Sequence, residues 1–171
     1  MTDAKEHYVL VDRPTADRPY HYKECGLDNV YLSNGFELVE EDGELLVSIE
    51  NVDGLWKAIG LNLITSQKVL SSREIRFLRG QMQMTQAELA AKLRVDDQTY
   101  ARWEKGRSQL PGPADVALRA CFLACDVAQP EGGEILDKWL ELLNDLIDRD
   151  QPLKDGVLFD CVNSTWSAKA A

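Results

Sequence analysis

Gln98, Thr99 and Arg102 are closely spaced, and together they carry the donors, acceptors and methyl group needed to read base pairs. A glutamine amide can make two hydrogen bonds to adenine, and an arginine guanidinium can do the same with guanine O6 and N7. A threonine methyl can pack on the thymine methyl, and Asp97, just before them, can only accept, as from cytosine N4. Each good two-bond pair is worth about 1–3 kcal/mol of discrimination against the wrong base. Taken singly, such residues are equally at home on any solvated surface. They read DNA only if one rigid element offers them together on an outward face.

The segment 71–126 supplies that element. A first helix is expected from Ser71 or Ser72, with Ser71 and Glu74 forming a capping box and Ile75, Leu78 and Met82 recurring at helical spacing. A second box, Thr85 to Glu88, opens the next helix, whose apolar stripe is Leu89, Ala90 and Leu93. After the turn Arg94–Val95, Asp96 or Asp97 caps a third helix of about Asp97 to Lys105, which Gly106 ends. If Tyr100 and Trp103 face the core, helical geometry turns Gln98, Thr99 and Arg102 to the other side. A fourth helix, entered at Pro113, carries Val116, Leu118, Cys121 or Phe122, and Leu123. Two helices joined by so tight a turn are the arrangement whose second member enters the major groove.

Around this face, Thr85 and Gln86 stand at a helix start suited to phosphate, and Lys92, Arg94, Lys105 and Arg107 are further candidates for the sugar–phosphate backbone. Glu104 would repel phosphate if exposed, so an ion pair with Arg79 fits it better. Nothing supports catalysis: there are two histidines, both near the start, with no phosphate loop and no nucleophile motif.

The runs MTQAELAAKLRV and TYARWEKGR make the segment resemble the XRE family, that of lambdoid-phage repressor and Cro. The resemblance implies a lambda-repressor-like domain in which an Arg–Glu pair, here Arg79 and Glu104, ties the first helix to the third. It places a phosphate-contacting glutamine at Gln86 and base-reading positions at Asp97, Gln98 and Arg102. Arg94 departs from the pattern, since the family usually has glycine there; a left-handed non-glycine costs about 1–2 kcal/mol. Further back, YHYKECGLDNVYLSNGF, VDGLWKAIGL and SSREIRFLR resemble the YgiT/MqsA-type antitoxin group. That group generally holds zinc through CxxC pairs, which this chain lacks: Cys25 is followed by no cysteine until Cys121.

Outside the helix-turn-helix, residues 1–24 read as a flexible segment and 25–70 as a small α+β domain. Residues 27–49 alternate well enough for a three-stranded meander, with turns at Asn34-Gly35 and Asp42-Gly43. A helix should follow from Asp53, as cap, to about Ser66, burying Leu55, Trp56, Ile59, Leu63 and Ile64. Residues 132–149 form an acidic amphipathic helix whose face is Ile135, Trp139, Leu140, Leu143, Leu146 and Ile147, with Leu142 off the stripe. That face covers its own helix-turn-helix or a second copy of the chain. VLFDCV in the tail reads as an edge strand. The fold class expected is therefore mainly α: a five-helix XRE-type domain at 71–128, a β-meander plus helix before it, and a C-terminal helix and tail over 129–171.

The net charge of −10 is awkward for a DNA-binding protein. Its distribution matters more: residues 72–126 hold nine Lys or Arg against seven Asp or Glu, so the remainder carries the negative excess. That excess is either a solvated surface or a dock for a basic partner, such as a toxin with ribonuclease activity. The four cysteines form no CxxC pair and are expected reduced. Cys121 with Cys125, and His21 with Cys25, have helical ligand spacing and could share a zinc only if folding joined them; buried thiols, with no metal or cofactor, are the expectation. With no signal peptide and no apolar run long enough for a bilayer, the expected home is the bacterial cytoplasm, on the nucleoid when bound. The expected partners are a palindromic double-stranded operator and a second copy of the chain. Three functions follow: a dimeric repressor that controls its own operon, an antitoxin that binds a toxin and represses its operon, or a scaffold whose helix-turn-helix no longer binds DNA.

Overall fold

The computed structural model describes residues 19–41, 43–148 and 156–169. The chain begins with β1 (Tyr20–His21), β2 (Val30–Leu32) and a ribbon of β3 (Phe36–Glu41) and β4 (Glu44–Ile49). Seven α-helices follow among the described residues: α1 (Val52–Ser66), α2 (Ser72–Gln81), α3 (Gln86–Lys92), α4 (Asp97–Glu104), α5 (Gly112–Leu123), α6 (Glu131–Asp137) and α7 (Trp139–Asp148). A 3-10 turn, Asp126–Ala128, separates α5 from α6, and β5 (Val157–Val162) and β6 (Thr165–Ala168) close the chain.

The expected meander is not formed. β3 and β4 pair across Gly43 as a hairpin, but β2 joins a different sheet, in the order β1-β2-β5-β6. There β2 lies parallel to β5, Val30 opposite Val157 and Leu32 opposite Phe159. Asn34 explains why Asn34-Gly35 is no hairpin turn. Its amide brackets the Cys161 backbone, donating to the carbonyl at 3.1 Å and accepting from the N–H at 2.6 Å, so it extends the β2–β5 pairing past the strand end. Gly35 then redirects the chain at φ 70°, where a Cβ would lie 2.6 Å from both Cys161 and the Trp166 ring. Only glycine meets both demands. The tail strand β5 is accordingly interior to its sheet, between β2 and β6, rather than an edge.

Most of the initial segment expected to be flexible, residues 1–18, lies outside the described residues. Just after it, Tyr20 and His21 pair with β2, and Tyr22 is buried with its hydroxyl accepting from Trp56 Nε1 at 2.8 Å. Helix α1 is capped two residues earlier than expected: Asn51, at φ 48°, accepts from the Gly54 N–H, while Asp53 sits inside the first turn. A carboxylate there suits the helix dipole without being the cap.

One core runs through both halves. Leu55, Ile59, Leu63 and Ile64 of α1 join Ile75 and Leu78 of α2 and Leu118, Phe122 and Leu123 of α5 in a single buried cluster. Gly60 lets α1 and α5 meet, since a Cβ there would come within 2.3 Å of Phe122 Cζ. Arg119, 1% exposed, is held by Asp115 at 2.7 Å and donates to the Ile64 carbonyl at 2.8 Å. It thereby satisfies a carbonyl that the end of α1 leaves without an intrahelical partner.

Over 71–128 four α-helices and one 3-10 turn stand where five helices were expected. The stretch between Leu123 and Pro130 is too short for another helix, and Gln129 folds back to donate to the Leu123 carbonyl at 3.1 Å. The C-terminal amphipathic helix is also broken, at Lys138, whose φ −106° and ψ 21° leave helical values. It packs on its own chain: Gly132 lies against Leu123, and Lys57 of α1 pairs with Glu131 at 2.5 Å. Leu146 is buried, Ile135, Trp139 and Leu143 are half-buried, and so is Leu142, which the stripe had left out.

Candidate nucleic-acid interface

Both capping boxes form as expected. Ser71 accepts from the Glu74 N–H while Glu74 accepts from the Ser71 N–H, and Thr85 and Glu88 do the same for α3. Asp96, the first of the two aspartates offered as cap, starts α4, taking the Thr99 N–H at 2.9 Å and the Thr99 hydroxyl at 2.6 Å. Between α3 and α4 the chain turns through Arg94 at φ 56°, the left-handed position that the motif usually fills with glycine.

The angle between α3 and α4 is locked from inside by Glu104. Its carboxylate is fully buried, yet it takes Arg79 Nε at 2.6 Å, Arg79 Nη2 at 3.1 Å and Gln86 Nε2 at 2.7 Å. Arg79 also donates to the Met84 carbonyl at 2.8 Å, and Arg76 to the Glu104 carbonyl at 3.1 Å. Burial pushes the Glu104 carboxyl up, but the hydrogen bonds from Arg79 and Gln86 outweigh it and hold it below the ordinary carboxylate value. The Arg79–Glu104 pair was expected; the place of Gln86 is a correction. Its side-chain amide is turned inward instead of toward phosphate, because a buried carboxylate with unfilled lone pairs is costly and this amide fills one. Tyr100 and Trp103 are buried as required, with rings edge to face at 5.9 Å. The Tyr100 hydroxyl is buried without a well-formed hydrogen bond beside Glu104; burial first, and then that charge, raises its pKa.

With the aromatic side of α4 sheltered, Asp97, Gln98 and Arg102 are exposed and Thr99 half-exposed. Gln98 and Arg102 lie four residues apart, hence on one face. Among the described residues neither side chain has a hydrogen bond or ion pair to the rest of the chain, so both are available to a ligand. Thr99 is less free, because its hydroxyl is spent on Asp96 and only its methyl remains to offer. Lys105 and Arg107 follow at the exposed end of α4, and Lys92 and Arg94 are exposed on the α3 side. Thr85 is exposed too, its hydroxyl bonded to Glu88 at 2.9 Å.

The remaining cysteines and histidine do not gather. His21 Nε2 lies 2.7 Å from the Asp28 carbonyl and its ring stacks on Tyr31. Cys125 bonds the Phe122 carbonyl, and burial raises the Cys25 and Cys121 thiols. Among the described residues no group of three or more His, Cys, Asp or Glu is placed to hold a metal ion. No helix there is long and apolar enough to cross a membrane.

Residues 75–128 match the family model described as Helix-turn-helix. No curated protein and no solved structure matches the chain. The match runs from Ile75, within α2, to the end of the 3-10 turn, and it includes α3 and α4, which Glu104 ties to α2. This part of the chain is a helix-turn-helix domain of the XRE kind, a domain of DNA-binding transcriptional regulators and not an enzyme family.

Proposed function

We propose that the protein is a sequence-specific repressor that acts as a dimer and controls its own operon among others. The observation that carries this is the exposed, unengaged pair Gln98 and Arg102 on α4, with Asp97 beside it and Lys92, Arg94, Lys105 and Arg107 around it. The four side chains Asp97, Gln98, Thr99 and Arg102 read base edges in the major groove, Thr99 through its methyl. The basic groups hold flanking phosphates, which fixes register without reading sequence. Two copies of α4 in successive grooves require half-sites about one helical turn, roughly 34 Å, apart. Selection of bound fragments from sheared genomic DNA tests this directly. The expected result is a palindrome with that spacing, found in the chain's own promoter; fragments with no shared sequence would overturn it.

A second reading, an antitoxin that also represses its operon, is favoured by one feature. Between Lys23 and Lys57 the chain carries nine Asp or Glu and no Lys or Arg. Such a stretch suits a basic protein and repels DNA. Co-purification of the adjacent gene's product, with growth restored on co-expression, is the expected result; failure of both leaves the repressor alone.

A further inference from the structure

The ribbon of β3 and β4 lies at the centre of that acidic stretch. It belongs to no larger sheet, so among the described residues one ladder edge of each strand is unpaired. Its register divides the side chains cleanly. Phe36 opposite Ile49 and Leu38 opposite Val47 are half-buried and line the inner side, where Phe36 packs on Tyr20 with ring centroids 5.1 Å apart. The outer side carries Val39 opposite Leu46, 45% and 44% exposed, with the exposed pair Glu37–Ser48 on one flank and Glu44 on the other. An apolar step between carboxylates has the anatomy of a small protein interface: an apolar centre and a charged rim. The two large apolar side chains pair across the ribbon yet stay exposed to solvent, and an open strand edge beside them is a hazard that proteins normally blunt.

We propose that this outer face docks a basic protein through an extended segment whose apolar side chains alternate with lysine or arginine. The apolar groups of the partner meet Val39 and Leu46, its cations meet Glu37 and Glu44, and the free strand edges offer main-chain hydrogen bonds. Charge selects this occupant over the others. Nucleic acid and anionic membrane would bring phosphate against carboxylate. A second copy of the chain, face to face, would set Glu37 and Glu44 against their own kind, which is repulsive at such range. The inference gives the antitoxin reading a surface, and it rests on that reading only for the existence of a natural partner.

The test uses the full chain and a fluorescein-labelled peptide, Lys-Val-Lys-Leu-Lys-Val-Lys, followed by anisotropy, with the Glu-for-Lys peptide as control. The basic peptide should bind and weaken as salt rises, and the acidic one should not bind. Val39→Thr with Leu46→Thr, and separately Glu37→Lys with Glu44→Lys, should each weaken it by about tenfold or more. Both variants keep strand-forming residues or exposed positions, and unchanged affinity for operator DNA reports that they remain folded. Equal binding of the basic peptide to wild type and variants would place its site elsewhere and overturn the proposal. So would a dimer, seen in sedimentation of the wild type, that Val39→Thr with Leu46→Thr dissociates, because a second copy would then own the face. Should the adjacent gene's product be captured equally well by the ribbon variants, the antitoxin reading stands and this assignment falls.

Discussion

Arg79 on α2 and Glu104 at the end of α4 form a two-bonded ion pair, 2.6 Å and 3.1 Å, around a carboxylate that has no solvent contact. The pair sets the orientation of α4 from behind, leaving the front of that helix, with Gln98 and Arg102, exposed. Removing one partner strands the other's charge in the interior. Arg79→Ala is therefore expected to lose about 3–5 kcal/mol of stability in urea unfolding. A loss below 1 kcal/mol would mean that the pair is dispensable.

The same carboxylate makes stability depend on pH. Its folded pKa lies below the ordinary glutamate value of 4.5, so its contribution is complete above that value and is lost as pH falls through the folded one. Glu104→Gln should be less stable than wild type near neutral pH, and should lose less on acidification. Urea midpoints for both proteins between pH about 7 and about 3.5 check this; parallel curves would contradict it.

Helices α1 and α5 touch through Gly60 and Phe122. A Cβ at position 60 would lie 2.3 Å from Phe122 Cζ, so Gly60→Ala is expected to cost about 1–3 kcal/mol through overpacking. Phe122→Leu should recover part of that loss in the double variant, though it is destabilising alone. Additive losses in a double-mutant cycle would show that the two residues do not share one space.

Arg94 occupies the turn between α3 and α4 at φ 56°. Arg94→Gly removes the strain of a left-handed side chain and adds the entropy cost of glycine, for a net gain of up to about 1 kcal/mol. The urea midpoint should rise while, if Arg94 holds phosphate as proposed, affinity for DNA falls slightly on all sequences.

The helix-turn-helix was legible because its signals are local. Ser71 with Glu74, Thr85 with Glu88, and Asp96 with Thr99 each lie three residues apart, and their periodic apolar neighbours repeat within the same window. The sheet was not legible, for the opposite reason. Asn34 finds its partner at Cys161, which is 127 residues away, so a dipeptide that reads as a hairpin turn was claimed by a distant strand. β5 read as an edge because its neighbours, β2 and β6, come from opposite ends of the chain. Within the candidate site, the outward placement of Gln98 and Arg102 was visible from helical geometry alone. The inward turn of Gln86 was not, because it depends on the unfilled lone pairs of a carboxylate on another helix.

The central claim is that Gln98 and Arg102 read bases while Arg107 holds phosphate. Affinity of wild type, Gln98→Ala, Arg102→Ala and Arg107→Ala for a selected operator and for random DNA, at one fixed salt concentration, tests it most directly. The first two should lose about 1–3 kcal/mol on the operator and little on random DNA, whereas Arg107→Ala should lose similar amounts on both. Equal losses on operator and random DNA for Gln98→Ala and Arg102→Ala would contradict the assignment of the reading face.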